Sequence, residues 1–170
     1  MGLGETLGFK GSIATQMLRD QHVETVRLAE GFIGNEVTVS DFLSHVDYSI
    51  AVHFPLEDNF LIPIFRPYLR KYLDFEEPIR VITGEHMVIR KERQDLMGKR
   101  ANEYDEVPNL TADQVAGKSM LIARTLLQHV FKEENGLFQL VDAYLPEQEK
   151  QNLSKKLREE LPVLEARLKK

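Results

Sequence analysis

Two segments of the chain carry one pattern, and that pattern leaves few folds open. His53-Phe-Pro-Leu-Glu57-Asp58-Asn59-Phe-Leu61 and His129-Val-Phe-Lys-Glu133-Glu134-Asn135-Gly-Leu137 each read as a histidine, a glutamate four residues on, a second acid, an asparagine and then a leucine. On a helix, residues i and i+4 share a face one turn apart, so each copy presents an imidazole and a carboxylate to a single point. Glu fills 18 of the 170 positions, so one histidine with Glu at i+4 would carry little weight. A second copy that also matches at the acid, Asn and Leu positions carries far more. His22 lies upstream of the first copy and His86 upstream of the second, so the chain spells one His and then His-x-x-x-Glu, twice.

Helical periodicity surrounds these residues. Ser12 is a candidate cap for a helix running to about Phe32 and ended by Gly31 and Gly34, with Thr15, Leu18, His22, Val26, Ala29 and Ile33 on one face. Ser40 is the expected cap of a second helix, whose inward stripe reads Phe42, Val46, Ser49, Ile50, His53, Glu57, Phe60 and Ile64. Pro55 removes a backbone donor and crowds the carbonyl of Ala51, which predicts a bend or bulge between His53 and Glu57. Pro63 and Pro67 predict further kinks or the helix end, and His45, off the stripe, is expected at the surface.

Pro78 suits the first turn of a third helix running to about Ala101, with Ile79, Ile82, His86, Ile89, Arg93 and Met97 inward. Arg90, one turn beyond His86, is expected to snorkel to the surface. A polar loop over 102–110 precedes Thr111-Ala-Asp-Gln114, a capping box that opens the fourth helix. Val115, Ile122, Leu126, His129, Glu133 and Leu140 form its inward stripe, and it ends near Tyr144. The reading divides the chain into a loose tail over 1–11, a bundle over 12–145 and a short, charged C-terminal helical extension over 146–170. Its helix is expected to start at Pro146, to run to about Leu161 and to lie outside the bundle or at an oligomer contact. No strand-like alternation occurs, so the expected fold is all-α, an up-down-up-down four-helix bundle with a short additional C-terminal helix.

The four histidines fall near the middle of the four helices, spaced so that antiparallel packing brings them to one level. A buried Glu57 needs a counter-charge, and its stripe holds no Lys or Arg one turn away, which makes a metal cation the natural partner. Four imidazoles with two carboxylates exceed what one ion needs. Two ions bridged by Glu57 and Glu133 would use them all.

Composition narrows the chemistry. The chain has no cysteine, which excludes disulfides, thiolate zinc and iron–sulfur clusters. A net charge of -5 with both signs interspersed, and no basic patch with interleaved aromatics, argues against nucleic-acid binding and suits a cytoplasmic protein. The start of the chain does not read as a secretory signal, and no apolar run is long enough to span a membrane. Absence of Glu-x-x-His argues against a ferritin-type site, and absence of His-Glu-x-x-His against a helical zinc protease.

In this order and spacing, His22, the segment from His53 to Pro63, His86, and the segment from His129 to Phe138 resemble the hemerythrin-like (HHE cation-binding) family. The resemblance covers about residues 12–145. It implies an up-down four-helix bundle holding an oxo- or hydroxo-bridged centre of two iron ions, with His22 and His53 on one iron, His86 and His129 on the other, and Glu57 and Glu133 bridging. The histidine and carboxylate donors also suit manganese or zinc. Relative to the oxygen-carrying members, Arg90 replaces a second third-helix histidine, and acids stand at both i+4 and i+5 after His129, of which Glu133 mirrors Glu57. Each iron would then keep an open or water-filled position. The resemblance implies binding or sensing of dioxygen, nitric oxide or peroxide, or of iron and redox state. A di-iron enzyme for peroxide reduction, ferrous oxidation, or iron delivery and iron–sulfur repair, and a bundle that a metal merely stabilises, are the alternatives. The repair branch carries a cysteine-bearing N-terminal segment that this chain lacks.

Overall fold

The computed structural model describes residues 11–73, 76–98 and 110–169. Residues 1–10 of the expected tail and 102–109 of the expected loop lie outside them. The third helix ends earlier than expected, at Leu96 rather than near Ala101, because Gly98 just beyond it takes a left-handed turn with φ 63°. Among the described residues, the chain forms five helical rods and no strand. Helix α1 is Gln16–Ile33. Helix α2 is one rod of five consecutive pieces, Val39–Tyr48, Ser49–His53, Phe54–Leu56, Glu57–Leu61 and Ile62–Leu73, of which the second and fourth are π-helical turns. Helix α3 is Glu77–Leu96. Helix α4 joins Ala112–Lys132, a π-helical turn over Glu133–Leu137, and Phe138–Tyr144. Helix α5 is Glu147–Leu168.

The direction of each helix follows from where its apolar residues go. One core cluster contains Leu18, Val52, Leu56, Phe65, Ile79, Ile82, Leu137 and Phe138. The other contains Ala29, Phe42, Val46, Ile89, Ile122 and Leu126. Helices α1 and α3 therefore run from the first cluster to the second, and α2 and α4 run back. That is up-down-up-down packing, with His22, His53, His86 and His129 buried between the two clusters.

Two caps differ from the sequence reading. The side chain of Thr38, rather than Ser40, accepts the Asp41 amide at the start of α2. Ser12 instead begins a turn ahead of α1, its carbonyl accepting the Gln16 amide at 3.0 Å. The capping box of Thr111 and Gln114 forms at α4 as expected.

The C-terminal helix is longer than expected and is built into the core. It runs to Leu168 rather than Leu161, and Leu153, Leu157 and Leu164 are buried in the first cluster, beside Phe60 and Tyr48 of α2. Its high charge misled the reading, because three leucines at helical spacing are enough to seat one face. No helix among the described residues is long and apolar enough to cross a membrane.

Candidate metal centre

Both copies of the repeated segment leave regular α-helix at the same place. In each, the carbonyl of the glutamate accepts an amide five residues on: Ile62 to Glu57, and Phe138 to Glu133. A wide turn inserts one residue, so every side chain beyond it moves round the helix by about one position. The inward stripes move accordingly. Beyond Glu57 the buried residues are Leu61, Ile62, Phe65 and Leu69, not Phe60 and Ile64; beyond Glu133 the rest of the helix buries Leu137, Phe138 and Val141, not Leu140. The first copy has a further wide turn over Ser49–His53, closed by the Phe54 amide on the Ser49 carbonyl. The bulges thus flank the interval from His53 to Glu57, with a regular turn at Phe54–Leu56 between them, and the helix continues through Pro67 to Leu73.

The structure brings all six residues singled out from the sequence to one buried point. His22 Nε2 lies 3.1 Å from His53 Nε2, and His86 Nε2 lies 3.2 Å from His129 Nε2. Glu57 spans the pairs, with Oε1 3.4 Å from His53 Nε2 and Oε2 3.3 Å from His86 Nε2. Glu133 spans them the other way, with Oε2 3.0 Å from His22 Nε2 and Oε1 3.2 Å from His129 Nε2. The result is two four-donor groups, His22, His53, Glu57 and Glu133, and Glu57, His86, His129 and Glu133, each compact enough to hold a metal ion.

Outside this inner ring, each histidine uses its Nδ1. His22 meets Glu134 at 2.7 Å and His86 meets Asp58 at 2.9 Å. Glu134 and Asp58 are the second acids of the two repeats, each reaching the lone histidine of a neighbouring helix. Each is itself held by an arginine: Arg19 pairs with Glu134, and Arg90 Nη2 donates to Asp58 at 2.8 Å. His129 meets Glu85 at 3.3 Å, and Glu85 also pairs with Lys132. His53 alone meets a neutral group, Gln21 Oε1 at 2.7 Å. Phe54 stacks on His86 at 4.0 Å between ring centroids and Phe138 on His22 at 5.3 Å, walling the centre from the two apolar clusters.

Burial and neighbouring charges set the protonation of the six inner groups. Burial, reinforced by the charge of Glu133, raises the Glu57 carboxyl to about 7. Burial pushes Glu133 up as well, but His129 and His22 outweigh it and hold that carboxyl well below the usual range. Burial opposes charge on His22 and His129 too, yet Glu133, with Glu134 for the one and Glu85 for the other, lifts them to about 9 and about 10. His86 is raised by Asp58 and Glu57 against burial, whereas burial and the charge of His22 keep His53 well below its ordinary value. Among the described residues, protonated histidines are the cations set against the two buried carboxylates.

Metal ions fit this donor set better than protons do. All four carboxylate oxygens of Glu57 and Glu133 are buried without a hydrogen-bond partner, which is costly for a carboxylate and what a bridging ligand requires. The paired Nε2 atoms, 3.1 and 3.2 Å apart, are also placed to share a cation. The outer carboxylates fix the ring orientation and the tautomer that frees Nε2, as is usual around metal-bound histidine.

Glu134 is behind His22 rather than in the centre, and Glu133 occupies the position that mirrors Glu57. Arg90 does not snorkel free: it is half-buried, bound to Asp58 and 5.4 Å from the Phe54 ring. His45 is likewise half-buried rather than at the surface, with Nε2 2.8 Å from Thr25 Oγ1. Met97 is exposed, not inward. Sequence reasoning missed the roles of Asp58, Glu134, Arg19, Glu85 and Gln21. For the first two a signal existed, since an acid follows the glutamate in both copies.

Residues 13–141 match the family model described as the hemerythrin HHE cation-binding domain. No curated protein and no solved structure matches the chain.

Proposed function

Because the chain belongs to the hemerythrin HHE cation-binding family, we propose that the buried centre holds two iron ions and that the protein binds or senses dioxygen, nitric oxide or peroxide. The observation that carries this reading is the mirrored pair of four-donor groups sharing Glu57 and Glu133, with the four carboxylate oxygens otherwise unpartnered. His22 and His53 would hold one ion, His86 and His129 the other, and each carboxylate would give one oxygen to each. When bound, two irons supply reversible one-electron redox chemistry and Lewis acidity beside positions that a small ligand can take.

The protein's own part is to orient and to exclude. Asp58, Glu85, Glu134 and Gln21 hold the four imidazoles with Nε2 inward. The two apolar clusters and the rings of Phe54 and Phe138 keep bulk water away, so charge in the centre interacts strongly with a bound diatomic molecule. Four protein donors would hold each ion and would leave room on it for that molecule. The same four donors would also close a tetrahedral zinc, which is the observation favouring a purely structural metal. Metal analysis separates the two readings. Protein from iron-supplemented cells should hold close to two irons per chain, with near-ultraviolet bands that bleach with dithionite and return in air. Zinc alone with a featureless spectrum would favour the structural metal.

A further inference from the structure

His53 is the one inner histidine whose outer nitrogen faces a group that could turn either way. Gln21 Oε1 stands 2.7 Å from His53 Nδ1, but an amide rotated by half a turn would present its NH2 there instead. An NH2 at that place would favour the tautomer with its proton on Nε2, which cannot bind a metal. What decides the rotation lies further out. Gln21 Nε2 donates to the Tyr48 hydroxyl at 3.3 Å, and that hydroxyl donates to Glu165 Oε1 at 3.1 Å.

A carboxylate only accepts hydrogen bonds, so the Tyr48 hydroxyl donates to Glu165. The Tyr48 oxygen must then accept from Gln21 NH2, which turns the Gln21 carbonyl toward His53 and places the imidazole proton on Nδ1. Burial, and then the bond to Glu165, lifts the Tyr48 hydroxyl to about 12, so it stays a donor at neutral pH. Glu165 belongs to α5, beyond residues 13–141 that match the family model.

We infer that the C-terminal helix is a working part of the metal centre: through Tyr48 and Gln21, Glu165 sets the direction of a hydrogen-bond chain that keeps His53 Nε2 free for metal. Glu165, Tyr48 and Gln21 are positioning residues for one of the two metal positions and leave the other alone. This rests on the two-metal reading, and the closing experiment has one arm that does not need metal.

The chain's direction gives a rescue that a structural role would not. Glu at position 21 accepts only, so it would fix His53 whatever Tyr48 does. The experiment titrates metal-free wild type, Tyr48→Phe, Glu165→Ala, Gln21→Glu and the double variant Gln21→Glu with Tyr48→Phe with cobalt(II), following the visible bands and the ions bound per chain. In parallel, nitrogen-15 NMR reads the His53 tautomer in the metal-free proteins. Tyr48→Phe and Glu165→Ala should weaken one of two cobalt steps about ten- to a hundredfold, leaving the other unchanged. The double variant should recover both steps. By NMR, wild type and the double variant should hold His53 as the Nδ1–H form, and Tyr48→Phe should mix the two forms. Equal weakening of both steps, no weakening, no rescue, or an unchanged tautomer in Tyr48→Phe would overturn the inference. A wild type that binds no cobalt while its tautomer follows the chain would overturn the two-metal reading and the metal role of the chain with it, and would leave only the control of the His53 tautomer by Glu165 established.

Discussion

The two copies of the repeated segment deliver the same donors on different backbones. The first copy carries Pro55 and Pro63 and sits in a rod with two wide turns; the second has no proline and one. Yet a wide turn starts at the buried glutamate in both, over Glu57–Leu61 and Glu133–Leu137. Proline is therefore not what forces it. What the copies share is the demand that a glutamate reach the centre while the next apolar turn still packs on the core. A regular helix would carry Glu57 with Phe60 and Ile64, whereas one extra residue frees the glutamate and seats Leu61 and Phe65. The difference teaches that the bulge belongs to the site, and that proline in the first copy is only compatible with it.

The sharpest way to break the equivalence of the two copies is to remove a bridge. Each glutamate serves both donor groups, so Glu57→Ala and Glu133→Ala should each empty both metal positions. His53→Ala or His129→Ala should empty one and keep the other. Metal content per chain distinguishes these outcomes, and full occupancy in either glutamate variant would refute the bridging roles.

A smaller effect tests whether the second acids are equivalent. Asp58→Asn and Glu134→Gln each leave an outer imidazole nitrogen without its carboxylate, and each should weaken one metal by about ten- to a hundredfold. The two variants should affect opposite metals: Asp58 stands behind His86 and Glu134 behind His22. Stepwise cobalt titration would show whether the same or different steps are lost.

The pH dependence follows from the raised histidines. On folding without metal, His22 and His129 rise from 6.5 to about 9 and about 10. Their protonated pairs with the buried carboxylates thus stabilise the metal-free protein fully below about pH 6.5, and this is lost as pH climbs through 9 to 10. Metal binding must expel those protons, so apparent metal affinity should rise over the same range. Thermal melts of metal-free and metal-loaded protein across pH 6 to 10 should diverge, and parallel curves would contradict the assignment. The smallest effect expected is for Pro55→Ala. With the wide turn at Glu57 set by the site rather than by proline, it should change stability by only about 1 kcal/mol in chemical denaturation and leave metal content unaltered.

Much of this arrangement was legible in the sequence. The 3.6-residue stripes place His22 and His86 inward, and the duplicated His-x-x-x-Glu places Glu57 and Glu133 each one turn from a histidine on the same face. The outer partners were not legible from such local spacing. Glu134 reaches His22 across 112 residues and Glu85 reaches His129 across 44, so only assembled helices bring them together. The shifts at Leu61 and Leu137 escaped because a fixed helical period has no means to count an inserted residue. The seating of α5 escaped for a different reason: a strongly charged helix with three buried leucines reads as a surface element until its partner, the outer side of α2, is known.

The most direct test of the central claim is X-ray absorption at the iron edge of the iron-loaded protein. Two irons bridged by Glu57 and Glu133 predict nitrogen and oxygen scatterers around each iron and a second iron within about 4 Å. A spectrum with a nitrogen and oxygen shell but no iron scatterer at that range would contradict a bridged pair.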